Sequence, residues 1–270
     1  MLGYKKMAPL ALMFSLWGAS PAALAQACEN TDSFLSVVDT DLKAAGADYW
    51  QMRAVSAKMR AFVQKNPCSY EGVLGKALQI AANAPDEVLR DEFQETALIL
   101  AIQKADAGDI AERLEAVIQA GPQAFVAFSN TVSYELRDEA SLTQGKGLLA
   151  QALKPYIAQE TDLVYKSTLI DGYMKMVPLD EDKISYLVQI ADNREESADI
   201  QHYVLLNLPL MVGAEGAAHE TLLAFFSAHL QNPLSHTDYD LALDGARNLV
   251  LLGQQDMRGK ALGVLKAEAV

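Results

Sequence analysis

The sequence lacks several features that would point to a particular fold or chemistry. No stretch has the alternating pattern of a credible β-strand, and no Gly-x-Ser-x-Gly, P-loop or dinucleotide-binding fingerprint is present. A His-Glu-x-x-His zinc signature is also missing, because Leu223 stands where a second histidine would follow His219-Glu220. The sequence therefore predicts a helical protein and assigns no catalytic residue, no cofactor and no metal site.

Positive charge is scarce as well. The chain has 22 Lys and Arg residues against 35 Asp and Glu residues, a formal net charge of −13, and removal of residues 1–25 with Lys5 and Lys6 leaves −15. A negative protein is repelled by phosphate backbones and by anionic membrane surfaces. We therefore expect no nucleic-acid partner. Hydrophobic residues make up 51% of the chain, which is enough for a sizeable core.

One short segment offers possible metal ligands. His236, Asp238 and Asp240 provide an imidazole and two carboxylates close together. Asp238 as a helix cap and Asp240 as an acid in the first turn explain the same residues without a metal. The sequence favours this second interpretation and leaves open whether the three residues form a site. The other histidines are expected at the surface or at the edge of the core: His202, His219 and His229.

The first 25 residues have the three parts of a secretory signal peptide. Lys5 and Lys6 precede the short apolar run 8–17, and the Ala-Leu-Ala stretch 23–25 is a cleavage motif. Cleavage between Ala25 and Gln26 would leave residues 26–270 without stable membrane insertion. An uncleaved anchor and lipidation at Cys28 are weaker alternatives, because the run is short and the lipobox is poor. With no Asn-x-Ser/Thr acceptor, we expect a periplasmic or secreted protein.

The chain has two cysteines, Cys28 and Cys68, which is the number needed for one bridge. In an oxidising compartment such a pair is expected to form a disulfide. The bridge would close a loop of about 40 residues and contribute roughly 4 kcal/mol in the chain-entropy model. A redox pair is the alternative, but no Cys-x-x-Cys motif supports it.

The stretch Asp86–Gly121 best displays the organisation of the chain. Asp86 is a good N-cap, and the acids that follow it, Glu92 among them, lie near the positive end of the predicted helix. Gly108 is expected to end this helix, and Asp109 with Glu112 forms a capping box for the next one. The short connection predicts antiparallel neighbours that need further hairpins to bury their apolar faces.

Similar start and stop signals recur along residues 26–270. Helix caps are expected at Asp48, Thr161, Asp180 and Asp238, and a first helix is expected over 32–45 with Gly46 as its stop. Pro155 and Pro209 are expected to kink or end their helices. The polar run 137–147 contains two glycines and predicts a loop or a soft boundary within one helical domain.

These signals predict an all-α fold of antiparallel helical hairpins that recur at roughly 35 to 40 residues. An irregular α-solenoid fits this period and is tetratricopeptide-like or HEAT-like in architecture only, since the landmark residues of those repeats are not in register. A compact irregular helical domain is the alternative.

A function follows from this architecture only as a hypothesis. A stack of hairpins typically presents a surface to another protein or a peptide, so we favour an exported, non-enzymatic binding or scaffold protein. One alternative is a cell-envelope enzyme whose residues meet only in the fold. Another is a carrier of a small apolar ligand. The sequence names neither the partner nor the oligomeric state.

Overall fold

The structure is a computed structural model that describes residues 30–137, 142–178, 180–211, 216–231 and 236–252, with short pieces at 259, 262–263 and 265–267. The α-helices in these ranges are α1 (Thr31–Ala45), α2 (Tyr49–Lys65), α3 (Tyr70–Ala82), α4 (Glu87–Lys104), α5 (Ala107–Gln119), α6 (Pro122–Asn130), α7 (Thr143–Gln159), α8 (Leu163–Met176), α9 (Glu181–Asp192), α10 (Ala198–Met211), α11 (Gly216–Gln231) and α12 (His236–Leu252). A 3₁₀ turn at Pro67–Ser69 and a π-helical segment at Thr131–Glu135 complete them. No strand occurs in these ranges, which confirms the predicted all-α fold.

Several helix boundaries follow the local signals in the sequence. The carboxylates of Asp48, Asp86 and Asp180 accept hydrogen bonds from first-turn amides of α2, α4 and α9. Gly46 ends α1 with φ of 56°, a conformation that glycine adopts without steric cost. These predictions are confirmed. They could be made from the sequence because a cap depends on only a few neighbouring residues.

The boundary between α4 and α5 differs from the prediction. The left-handed residue after α4 is Ala105, with φ of 56° and ψ of 45°, and Gly108 lies inside the first turn of α5. Asp106 is the N-cap, and its Oδ1 accepts from the amides of Gly108 at 3.0 Å and Asp109 at 3.1 Å. Two aspartates three positions apart could each have capped this helix, and the earlier one does so.

Neither Pro155 nor Pro209 ends its helix, and a kink at these positions stays a prediction. Helix α7 continues through Pro155 and α10 through Pro209, although each proline lacks an amide donor. Each lies near the C-terminal end of its helix, so only a few helical residues follow the position at which the proline disturbs the backbone. The cap of α8 is Asp162 rather than Thr161, since its carboxylate accepts from the amide of Tyr165 at 2.8 Å.

Packing between helices follows the order of the chain. Contacts join helices that are adjacent in sequence, such as α1 with α2, α3 with α4 and α11 with α12. They also join helices that are next but one, such as α2 with α4, α6 with α8 and α9 with α11. This order suits both arrangements that the sequence left open, the stacked hairpins and the irregular helical domain.

Helix α4 lies between two hydrophobic clusters. One cluster gathers apolar side chains of α1 to α3 and takes Phe93, Ala97 and Leu100 from α4. The other extends from α5 to α12 and takes Leu98, Ile99, Ala101 and Ile102 from α4. All seven side chains have no exposed surface. The stretch 95–102 is buried on every side, which makes α4 a central element, and α4 is the first helix of the stretch on which the prediction was based.

Helix α7 approaches α4 closely through a glycine. A Cβ added to Gly145 would lie 1.9 Å from the carbonyl oxygen of Ile102, whereas one added to Gly147 would meet nothing within 4 Å. The absence of a side chain at Gly145 therefore allows the two helix backbones to touch.

Two buried lysines close helix ends. Lys183, in the first turn of α9, donates from Nζ to the carbonyl oxygens of Met174 and Val177 at the end of α8. Burial lowers the pKa of Lys183 to about 8. Lys146, near the start of α7, donates in the same way to the carbonyls of Leu136 and Arg137 at 3.3 and 3.2 Å. Each lysine supplies a donor for carbonyls that a helix leaves unpaired at its C-terminal end.

Several predictions fall on residues outside the described ranges. The signal peptide at residues 1–25, its cleavage between Ala25 and Gln26, and Cys28 all lie there, so the disulfide with Cys68 stays a prediction. Cys68 itself lies in the 3₁₀ turn Pro67–Ser69. The soft boundary near 137–147 also stays a prediction, although Thr143 to Gly147 are helical. Among the described helices, none combines the length and apolar character needed to cross a membrane.

Candidate functional site

Three neighbouring elements bring polar side chains to one buried place. Arg53, Ser56 and Arg60 share a face of α2, and Glu92 and Glu95 lie one turn apart on α4. The third element is the π-helical segment that follows α6, in which the amide of Leu136 donates to the carbonyl of Thr131 at 3.0 Å. π-Helical turns are rare and are often found at functional sites. We therefore treat this cluster as the candidate site.

The Arg53 side chain connects the three elements. Its Nη1 donates to the hydroxyl of Tyr49 at 2.8 Å, and its Nη2 donates to Thr131 Oγ1 at 2.8 Å and to the carboxylate of Glu135. Nη1 also lies 3.7 Å from Glu92 Oε2. Burial alone would lower the pKa of Arg53, but these hydrogen bonds and the nearby carboxylates raise it above its usual value. Arg53 is therefore a fixed positive charge.

Glu92 is buried but well supplied with partners. Only 4% of the residue is exposed, and its carboxylate accepts a hydrogen bond from the Ser56 hydroxyl. Arg60, equally buried, donates from Nη1 to the same hydroxyl oxygen at 3.1 Å. Burial raises the pKa of Glu92, while Ser56, Arg53 and Arg60 act in the opposite direction. The side chain is thus part of a polar network that spans α2 and α4.

Glu95 is the residue whose partners are incomplete. It is 4% exposed, and its carboxyl group has a hydrogen bond with Thr131. Its Oε1 is buried and has no hydrogen-bond partner among the described residues. Burial, followed by the charge of Glu92, raises the pKa of Glu95 from 4.5 to about 7, against the opposing effects of Thr131, Arg53 and Arg60. A buried oxygen without a partner is costly, so it calls for an explanation.

A cleft between α2, α4 and α6 opens over these carboxylates. Its floor contains Glu92 and Glu95, the two buried residues of its lining. Its rim includes Tyr49 from α2, Val88 from α4 and Gln123 from α6. A concave surface with an apolar rim and a few converging polar groups is the usual form of a binding site.

Aromatic side chains extend the rim beside α2. The rings of Tyr49 and Trp50 meet edge to face with centroids 5.3 Å apart. Trp50 is 74% exposed, and Val88 on the opposite side is 52% exposed. Large side chains with this much exposure are available to an incoming ligand, so the cleft offers both apolar contact and negative charge.

The metal site considered at His236, Asp238 and Asp240 stays a prediction, although the surroundings of Asp238 are described. Asp238 lies inside the first turn of α12 rather than at its cap, and its Oδ1 is 2.9 Å from Nδ1 of the buried His229. Asp240 is exposed, and the side chain of His236 lies outside the described part of the structure. The sequence placed His229 at the surface or at the edge of the core, and the structure shows it buried beside Asp238. Within the described residues, no cluster of three or more His, Cys, Asp or Glu side chains suits a metal ion.

Of the other two histidines, His202 is half-buried in α10 and does not line the cleft. His219 belongs to α11, and its side chain lies outside the described part of the structure.

Glu92 and Glu95 were not predicted from the sequence as members of a buried site. Glu92 was assigned to the favourable charge near the helix start, although it lies in the second turn of α4. A signal was present: Ile99 and Ile102, both fully buried, follow Glu92 and Glu95 by one heptad and therefore share their face. Acids on the inward face of a helix indicate a buried polar group.

Comparison of the chain with protein-family models, with curated proteins and with solved structures gave no match in any of the three.

Proposed function

We propose that this chain is an exported, non-enzymatic binding or scaffold protein that docks a protein or peptide partner in the cleft between α2, α4 and α6. The observation that carries the proposal is the combination of an exposed apolar rim with a buried acidic floor. Val88 on the rim and Trp50, which packs on Tyr49 of the rim, offer contact area. Glu92 and Glu95 offer directional polar contacts. Interfaces commonly combine aromatic anchors with a few polar groups in this way.

The order of helix packing supports a repeat-like scaffold. Contacts between helices that are next but one along the chain are those expected where hairpins stack on each other. Lys146 and Lys183 perform the same closure of a preceding helix end and lie about 37 positions apart, within the roughly 35 to 40 residues expected between hairpins.

Export is proposed on the N-terminal sequence. The basic start, the apolar run and the Ala-Leu-Ala motif of residues 23–25 support a signal peptide that is cleaved between Ala25 and Gln26. Mass spectrometry of the protein from the periplasmic or culture fraction should give Gln26 as the first residue. A bridge between Cys28 and Cys68 should appear in the same sample as a mass two hydrogens lower before reduction. An intact N-terminus in the cytosol would contradict export.

Photo-crosslinking in cells tests the docking surface. A photoreactive amino acid at Val88, on the rim, should give a discrete adduct with one partner protein or peptide. The control position is Val164 in α8, which is 73% exposed and does not line the cleft. Equal adducts at both positions, or none at Val88, would show that the cleft is not the docking surface.

A cell-envelope enzyme is the second candidate, and Glu95 is the observation in its favour. A buried carboxyl group with its pKa raised to about 7 has the character of a general acid at neutral pH. Glu95→Gln would then abolish turnover of a cell-wall fragment and leave the adduct at Val88 intact. A carrier of a small apolar ligand is less well supported at this cleft, because two carboxylates form its floor.

A further inference from the structure

The unpartnered carboxylate oxygen of Glu95 indicates which kind of ligand group the floor of the cleft can bind. Oε1 is buried and unpartnered, and Glu95 belongs to the lining of the cleft. An ionised carboxylate accepts hydrogen bonds and cannot donate them. A ligand group placed on this oxygen must therefore be a donor, and a positively charged donor would be favoured most.

The charged groups around Glu95 include one more carboxylate than cations. Two cations, Arg53 and Arg60, face it from α2, and two carboxylates face the same cations, Glu92 from α4 and Glu135 from the π-helical segment. Arg53 donates hydrogen bonds to Glu135, Thr131 and Tyr49, and the carboxylate of Glu135 compensates its positive charge. The two arginines are thus balanced by Glu92 and Glu135, and the charge of Glu95 remains.

The fourth carboxylate near the cleft, Asp91, also has a positively charged partner. Asp91, on the rim side of α4, accepts from Arg90 Nε at 3.0 Å. The phenol of Tyr49 accepts from Arg53 and contributes no charge of its own. One positive charge at the floor would therefore make the network neutral.

The rim suits the stem of a long cationic side chain. The ring of Tyr49 lines the cleft and Trp50 packs against it, with most of the Trp50 surface exposed. Aromatic rings attract cations at their faces and cover the methylene stems of lysine and arginine. The strongly negative chain would also draw a basic partner toward it.

We propose that the cleft binds the cationic side chain of a lysine or arginine in a partner peptide, with the Glu95 carboxylate as its counter-charge and Tyr49 and Trp50 beside its stem. This assignment rests on the proposed function as a peptide-binding protein and names the chemical group that is recognised. Below about pH 7 a proton takes the place of the cation on Glu95 in the free protein. Binding at such pH values releases this proton, and acid competes with the peptide.

The test uses Trp50 as a reporter. The chain has two tryptophans, and Trp17 lies in the proposed signal peptide, so residues 26–270 retain Trp50 alone. The probe is the peptide acetyl-Ala-Val-Lys-Val-Ala-amide, titrated at pH 8 and followed by tryptophan fluorescence. The same peptide with acetyl-lysine has the same stem and no charge. We expect binding of the lysine peptide and at least a ten-fold weaker response to the acetylated one.

Variants of α4 locate the effect. Glu95→Gln should weaken the lysine peptide at least ten-fold, whereas Glu87→Gln, at an exposed position outside the cleft lining, should leave it unchanged. Below pH 7 the affinity should fall by up to ten-fold per pH unit, and Glu95→Gln should remove this dependence. Equal binding of both peptides, or an unchanged affinity in Glu95→Gln, would overturn the proposal.

Two further results separate this inference from the function on which it rests. If Glu95→Gln retains the photo-adduct at Val88 and both peptides bind equally, the cleft docks a partner but does not recognise a cation. If the Val88 adduct is absent as well, both proposals fail. If n-butylamine binds as tightly as the lysine peptide, the cation site exists but is made for a free amine, and the peptide assignment is wrong.

Discussion

Replacing Glu95 with glutamine should change how stability depends on pH. The pKa of Glu95 is about 7 in the folded protein, against an ordinary value of 4.5. Because the folded value is the higher one, the folded state keeps its proton between these two pH values while the unfolded state loses it. Stability is therefore fully present below pH 4.5, falls as pH rises toward 7, and is level above it. The shift corresponds to roughly 3 kcal/mol.

Urea unfolding at pH 5 and at pH 8 measures this effect. Other titrating groups contribute to both proteins alike, so the comparison is between the pH-dependent losses of the parent and of Glu95→Gln. The parent should lose roughly 2 to 3 kcal/mol more between the two pH values. Glu87→Gln, on the same helix and exposed, should behave as the parent does. Equal losses in the parent and Glu95→Gln would show that Glu95 does not titrate near pH 7, and the argument from its buried oxygen would fail.

Three substitutions test the packing. Gly145→Ala should lower the free energy of unfolding by about 1 to 3 kcal/mol, because its Cβ would meet a backbone carbonyl of α4 at 1.9 Å. Gly147→Ala should instead be neutral or raise it by up to about 1 kcal/mol, and equal effects in urea unfolding would contradict the close approach. Lys183→Met should cost about 1 to 3 kcal/mol in thermal unfolding, since two helix-end carbonyls lose their donor. Lys175→Met, which breaks the exposed ion pair with Asp171, should cost less than about 0.5 kcal/mol. Equal losses in Lys183→Met and Lys175→Met would show that the hydrogen bonds of Lys183 to the helix-end carbonyls do not stabilise the fold. Ala105→Gly should raise stability by up to about 1 kcal/mol, because φ of 56° favours glycine, and a loss would show that side-chain packing matters more.

Local structure could be predicted from the sequence where a few neighbouring residues decide it. Asp48, Asp86 and Asp180 begin helices because their carboxylates reach the next two or three amides. The prediction failed where two local solutions competed, as at the turn before α5, where Asp106 took the cap that Asp109 could have taken. In such cases the packing of the flanking helices selects between solutions of similar energy.

The candidate site could not be predicted because it depends on distant parts of the chain. Arg53 and Glu135 are 82 positions apart, and Ser56 and Glu92 are 36 apart. Each of these residues, taken alone, is of a type that is common on the solvent-exposed face of a helix. Only the packing of α4 between its neighbouring helices turns Glu92 and Glu95 into interior groups. The seven-residue offset from Ile99 and Ile102 to the two acids was the one local sign of it.

Helix α4 is a wall common to two hydrophobic clusters, and it also bears both acids of the cleft floor. Cleavage of the chain before or after α4 would leave one fragment with an exposed hydrophobic cluster. The chain is therefore poorly suited to division or to rearrangement as separate modules. The same geometry ties ligand capture to the integrity of the whole. A ligand bound at Glu95 would stabilise α4 in its native position. Both hydrophobic clusters would then unfold together and at a higher temperature.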